Sequence, residues 1–318
     1  MNHFNSKSII PFPEEGANPL GKNRCMGYHY TSPAAFLSII ENKEIRFSDV
    51  RYMNDKSEGI YFLKILVEFL EKNKSFPNVQ EAVNFLLDQN DLTKIKKLQV
   101  PSPIYRDVPK LKYEKSRTFL MCTSRKPDLL NMWNYYIRNN SYEGYCIGFH
   151  MPRFLKTFDT KKEETNRPFI VYYGKVIYDR KLQDQQIRKL VGGLEKRPIN
   201  NIKIGLKHYI NTRGYFFKHK SFKGEEEFRV IISIKENNMI YKEKSTTGDD
   251  SKLKKDFYIR NGLIVPYLSV SIPEDAISRI YLPPLSEEEI AKKGVQELIG
   301  SVGFKDVKIC KSQIPVRY

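Results

Sequence analysis

The chain switches between a two-residue hydrophobic period, which marks strands, and a period of about 3.6, which marks helices. Residues 1–27, rich in Pro, Asn and Gly, read as an irregular leader. Cys25 to Thr31 (CMGYHYT) is then a short aromatic strand, and Ser32-Pro33 supplies an N-cap and a first-turn proline for a helix. Phe36, Leu37, Ile39 and Ile40 give that helix one buried face. Glu44 to Ser48 alternates as a strand, Asp49 to Asp55 is a polar loop, and helices are predicted over about Asp55 to Glu71 and Asn78 to Gln89.

Further strands are predicted at Thr118 to Ser124, Gly144 to Phe149, Phe169 to Tyr178, Glu226 to Ile234, Phe257 to Val265, Arg279 to Leu282 and Val307 to Cys310. A short amphipathic helix at Pro127 to Asn139 carries the only tryptophan, Trp133. Two basic helices fill Gln183 to Lys218 and break at Arg197-Pro198, and Ser286 to Ile299 is a helix with an acidic first turn. Strands and helices interleave without a regular βαβ cadence, so the expectation is one α+β domain over 28–318, with basic insertions near 91–117 and 179–223.

Composition narrows the class. The 318 residues include 20 Tyr and 19 Phe, too aromatic for a disordered chain. No apolar run is long enough to span a bilayer, and the N-terminus lacks the basic-then-apolar order of a secretion signal, so the expected location is the cytoplasm. Cys25, Cys122, Cys146 and Cys310 are widely spaced with no CxxC pair, which favours reduced thiols over a disulfide or zinc framework; no metal site is expected. The net charge of +17 concentrates in two segments: twelve Lys/Arg against three acidic residues over 179–223, and eight against three over 91–117. Such surfaces attract phosphates, so nucleic acid is a candidate partner, unless the lysines serve solubility alone.

Phosphate-loop, GxGxxG, HExxH and GxSxG motifs are all absent. His29 stands in Tyr28-His29-Tyr30-Thr31 on a strand that enters a capped helix; it is either a ligand-holding histidine, with Thr31 beside it, or a core residue. Ser48, Asp49, Arg51, Asn54, Asp55 and Glu58 form a polar string after a strand, in which Asp55 and Glu58 also fit a capping box. Strand alternation over Gly224 to Ile232 puts Glu225, Glu227 and Arg229 on one face, as an ion-pair ladder or an active-site floor, with Lys218, Lys220 and Lys223 upstream to hold an anion. Lys207 and Arg213 extend that basic set toward a nucleic-acid face. Met132, Trp133 and Tyr136 share a helical face suited to core packing or to base stacking.

The ordered set Tyr28-His29-Tyr30-Thr31-Ser32, Phe47-Ser48, Asn54-Asp55, Glu58, Met132-Trp133, Tyr136, Gly144, Gly148-Phe149, Glu225-x-Glu227-x-Arg229, Val265-Pro266-Tyr267 and Ile280-Tyr281-Leu282-Pro283-Pro284 resembles a bacterial family known as domain of unknown function 2971. Phe222 and Gly224 stand where that pattern places aromatic residues before the paired glutamates. The YHYTS strand, helix and IRFS strand also resemble the opening motif of ADP-ribosyltransferase-like folds, including nucleic-acid-modifying toxins. That resemblance implies a split mixed or antiparallel sheet with helical insertions and NAD as co-substrate. It implies His29, Tyr30 and Thr31 at the ribose, Ser48 at the nicotinamide, Arg51 at the pyrophosphate with Asn54 and Arg229 near the cofactor, and Glu225 or Glu227 as the catalytic glutamate. The leading expectation is therefore an ADP-ribosyltransferase of toxin or phage-defence type. A non-catalytic nucleic-acid-binding module, and a nuclease or phosphohydrolase that uses Asp49, Asp55, Glu58 and the Glu225–Glu227 string around Mg²⁺, are the alternatives.

Overall fold

The computed structural model describes residues 9–13, 25–53, 58–88, 116–136, 143–159, 169–235, 239–241, 253–260, 262–284 and 287–315. In chain order these form β1 (Ile9–Phe12), β2 (Met26–Thr31), α1 (Pro33–Asn42), β3 (Glu44–Asp49), α2 (Glu58–Lys72), α3 (Pro77–Asp88), β4 (Ser116–Ser124), α4 (Leu130–Tyr136), β5 (Tyr145–His150) and α5 (Met151–Phe154). There follow β6 (Phe169–Lys175), α6 (Arg180–Glu195), α7 (Ile199–Ile210), β7 (Glu227–Lys235), β8 (Met239–Tyr241), β9 (Leu253–Arg260), β10 (Leu263–Ser271), β11 (Ile277–Tyr281), α8 (Glu288–Val302) and β12 (Lys308–Cys310). The fold is mixed α and β.

All twelve strands join one mixed sheet. Through its middle β4, β7 and β6 pair antiparallel over their length, and β1 adds to β6 in parallel. Because helices cover both faces there, these strands are apolar at nearly every position rather than alternating. Phe119, Met121, Val171, Tyr173, Val230 and Ile232 enter a core shared with α1 and α8, while Leu120, Tyr172 and Ile231 enter a second core under α2, α3, α6 and α7.

The other edge of β4 forks. β3 pairs it at Ser48–Leu120 and Asp49–Phe119, and β2 pairs it only at Tyr28–Ser124, which leaves residues 121–123 between the two branches. One branch continues β2, β5, β11, β12 and the other β3, β10, β9, β8. The close approach at the base of the fork depends on Gly27, where a Cβ would stand 2.6 Å from Thr123 Oγ1. At the fork's far end Asp49, almost wholly buried, receives Nε and Nη2 of Arg51 at 2.9 and 2.8 Å and is also paired with Arg117. Two guanidinium groups on one buried carboxylate tie the β3 branch to β4.

Several expectations change. Ile9–Phe12, placed by sequence in an irregular leader, is a strand, because its apolar run completes the edge of β6. Gly174 lets it approach: a Cβ there would lie 2.2 Å from the Phe12 carbonyl oxygen. Gly174→Ala is expected to lower stability by about 1–3 kcal/mol through overpacking; an unchanged urea midpoint would contradict this packing of β1. The single strand expected at Phe257 to Val265 is the hairpin β9–β10, turning at Gly262 with φ +75°. Phe169–Lys175 ends earlier than expected, at the bridge that carries Ile177 to Phe217. The insertion at 91–115 and the Asp55 cap lie outside the described residues.

Candidate active site at the sheet fork

β2 alternates Tyr28 and Tyr30 into a small aromatic cluster with Trp133, Met132 and Cys146, and His29 between them lies on the opposite phase. Its Nδ1 donates to the Cys122 carbonyl oxygen across the fork at 3.2 Å. A carbonyl only accepts, so the proton is assigned to Nδ1 and Nε2 is left with its lone pair. Burial lowers the His29 pKa, opposed by that carbonyl, so the imidazole is neutral at pH 7. Tyr30 Oη accepts from Leu129 N at 2.9 Å and donates to the Lys126 carbonyl oxygen at 3.3 Å, and its ring meets the fully buried Trp133 edge-on. Trp133 is thus core, and it is held there by Asp128, which also accepts from Ser312 and from the Gln313 amide.

The second half of the site comes from the start of β7. Glu227 and Arg229 alternate with Phe228 and Val230, so both turn away from the α1–α8 core, toward the side where Tyr215 and Lys218 approach. Arg229 is fully buried: its Nε and Nη2 reach Glu227 Oε2 at 2.6 and 2.5 Å, and its Nη1 donates to the Tyr215 carbonyl oxygen at 2.5 Å. Lys218, expected on a nucleic-acid face, is buried instead. It donates to Glu227 Oε1 at 3.1 Å and to Glu225 Oε2 at 2.7 Å. Glu225 is not on the strand: it ends a 3-10 turn over Lys220–Glu225, and Glu226 follows with φ 49°. The backbone turn breaks the alternation read from the sequence, yet Lys218 brings both carboxyls together again.

Their environments push the two carboxyls apart. Burial and the neighbouring Glu227 charge raise Glu225 to about 7 despite Lys218. Burial acts on Glu227 in the same direction, but Arg229 and Lys218 outweigh it and hold Glu227 at about 2. One acid that carries a proton near neutrality beside one that stays ionised is the arrangement used in carboxylate acid–base chemistry. The Tyr178 hydroxyl accepts the Glu227 amide at 3.1 Å, and burial beside that carboxylate raises its pKa.

Glu227 and His29, 198 positions apart in the chain, line one cleft with Tyr28, Tyr30, Cys122, Thr123 and Met132. The cleft is small, with room for about one water molecule. Other expected site residues lie elsewhere. Thr31 is buried. Ser48 sits on the other branch, its Oγ 3.0 Å from the Tyr258 hydroxyl. Arg51, expected at a pyrophosphate, spends its guanidinium fork on Asp49. Asn54 lies outside the described residues, as does the Glu58 side chain. Arg213, assigned to the basic face, stacks its guanidinium over Tyr172 at 5.0 Å, and Lys207 is half-buried, whereas Lys220 and Lys223 are exposed. The four cysteines are free thiols. Among the described residues there is no group of three or more His, Cys, Asp or Glu side chains suited to a metal. Nor does any described helix have the length and apolarity to cross a membrane.

Residues 132–230 match a family model described as Protein of unknown function (DUF2971). The family resemblance read from the sequence is borne out over that segment, which holds Trp133, Lys218, Glu225, Glu227 and Arg229 but not the β2 histidine. No curated protein and no solved structure matches the chain. Tyr178 and Asp128 were not legible as site features, since they act through contacts 49 and 184 positions away, and the bridging role of Lys218 was hidden by the 3-10 turn between it and the two glutamates. A lysine seven residues before a Glu-x-Glu-x-Arg string was the available signal.

Proposed function

We propose that the protein is an NAD-dependent ADP-ribosyltransferase of toxin or phage-defence type, with NAD as co-substrate and nucleic acid as acceptor. One observation carries the reading: the β2 histidine and the β7 glutamate line a common cleft at the fork of the sheet. In this reading the neutral His29 accepts a ribose hydroxyl at Nε2, and the ionised Glu227 stabilises the positive charge that builds on the ribose as its bond to nicotinamide breaks. Nicotinamide departs with the bonding pair, the acceptor bonds to the ribose carbon, and ionised Glu225 takes the acceptor's proton. With room for about one water, the cleft must open between β2 and β4 to admit a nucleotide.

The test is nicotinamide release from NAD by the purified chain, with and without RNA or DNA. Release is expected, and in Glu227→Gln it falls by about 10²–10³-fold, the scale of losing one preorganised electrostatic contact. His29→Ala, which leaves the ion cluster intact, is expected to lose NAD binding by calorimetry. No release under any condition would overturn the reading. The small cleft favours a second one, a non-catalytic nucleic-acid-binding module on the same scaffold, whose signature is salt-sensitive RNA or DNA binding with no NAD consumed.

A further inference from the structure

The three central strands end together. β4 finishes at Ser124 opposite Glu227, and β6 finishes at Lys175 opposite Phe228, so the segments after β4, after β6 and before β7 meet at one end of the sheet. Five exposed cations project from that meeting point: Arg125 and Lys126 after β4, Lys175 at the end of β6, and Lys220 and Lys223 in the turn before β7. Glu226, in the turn before β7, pairs with Arg125 at 3.5 Å.

These segments are fixed rather than loose. Arg125 N donates to the Glu226 carbonyl oxygen at 2.7 Å, and the Lys126 carbonyl oxygen is held by Tyr30. Asn131 Nδ2, on α4, donates to the Gly224 carbonyl oxygen at 3.1 Å, which ties that helix to the turn bearing Lys220 and Lys223. One helical turn beyond Asn131, on the same side of α4, stands Tyr135, 67% exposed. A solubility lysine needs no such scaffold. Cations held in register beside an exposed aromatic ring are what a strand with a charged backbone and stackable bases requires.

We infer that this rim, beside Glu225 and Glu227, binds single-stranded nucleic acid, the phosphates lying along Lys126, Lys220 and Lys223 and a base stacking on Tyr135. The site deepens the acceptor side of the proposed reaction and rests on that reading only for its role as acceptor. Its binding is measured without NAD, so failure of either idea is seen separately.

The experiment is fluorescence anisotropy with labelled single-stranded RNA and DNA and a duplex of the same sequence, over about 50 to 200 mM salt, on the full chain. Single strands are expected to bind more tightly than the duplex. The triple variant Lys126→Ala, Lys220→Ala, Lys223→Ala is expected to lower the slope of log affinity against log salt by about 2, three single-strand contacts at about 0.7 each. Tyr135→Ala is expected to weaken binding roughly tenfold at unchanged slope, with Tyr135→Trp restoring it. Lys181→Ala with Lys196→Ala, exposed cations in the first turn and at the C-cap of α6, is the control. Absence of binding at the lowest salt, or equal losses in the triple variant and the control, would overturn the site. Preference for the duplex, or indifference to Tyr135→Ala, would overturn its single-strand character.

Discussion

Glu227→Gln is expected to destabilise the protein by about 3–5 kcal/mol, the scale of breaking a buried ion pair from one side. The carboxylate is nearly inaccessible and receives both Arg229, which is fully buried, and Lys218. An amide of the same shape keeps the packing and the Arg229 bond to the Tyr215 carbonyl oxygen, but it removes the negative charge that faces the guanidinium. Lys218 is buffered, because Glu225 lies 2.7 Å from it and ionises more readily once Glu227 is neutral. The uncompensated charge therefore falls mainly on Arg229. That assignment is checkable by a double-mutant cycle with Arg229→Met in urea unfolding. If Arg229 bears the cost, the double variant loses several kcal/mol less than the two single losses together. Additive losses would mean that Glu227 acts through something other than its pairing with Arg229. The same cycle guards the activity test, since lost turnover supports a catalytic role for Glu227 only where the variant is shown to be folded.

The parts of the fold that are local were legible in the chain. β2 and α1 follow from alternation and from the Ser32 cap, whose Oγ does accept from Ala35 N, at 3.4 Å. The break between α6 and α7 follows from Pro198. The β9–β10 hairpin carries its own signal, Asn261-Gly262, a dipeptide that favours a two-residue turn, although the apolar run across it reads as one strand. What stayed hidden is non-local. Nothing in the spacing of β2, β3 and β4 announces that two strands compete for one edge, and the fork is what places His29 against the Cys122 carbonyl oxygen. Likewise Arg51 looks free in a polar loop until Asp49, two residues earlier, turns inward. Charge counting over 179–223 cannot separate the cations used within the fold from those left on the surface. Arg180 pairs with Glu68 and Asp184, Lys203 lies over Phe85, and Lys218 is enclosed with Glu225 and Glu227, whereas Lys181, Arg188, Lys189, Lys196, Arg197, Lys220 and Lys223 are exposed.

Glu225→Gln is expected to change the pH dependence of stability more than its value at low pH. Glu225 is raised in the folded protein to about 7 from 4.5, so folding binds its proton. The stability linked to that group is fully present below about pH 4.5 and is lost as pH rises through about 7. Glu227 works in the opposite sense. Held at about 2, it contributes stability that is present above about pH 4.5 and lost as pH falls toward 2. The pair together is thus most stabilising near pH 4.5 to 5, where Glu225 is protonated and Glu227 is not. Glutamine reproduces the protonated Glu225, so the variant keeps the acid limb and loses the penalty above it. Relative to the native chain it is expected to gain about 1–2 kcal/mol between pH 5 and pH 8 in urea unfolding, solvent screening at this partly exposed carboxyl reducing the full linkage value, and to differ little at pH 5. A constant difference across that range would mean that Glu225 is ionised throughout, with Lys218 rather than burial setting its charge. The ionised form of Glu225, unfavourable to the fold at alkaline pH, is the form that would take the proton of an acceptor nucleophile. The same variant is therefore expected to remove the transfer step while leaving the fold more stable.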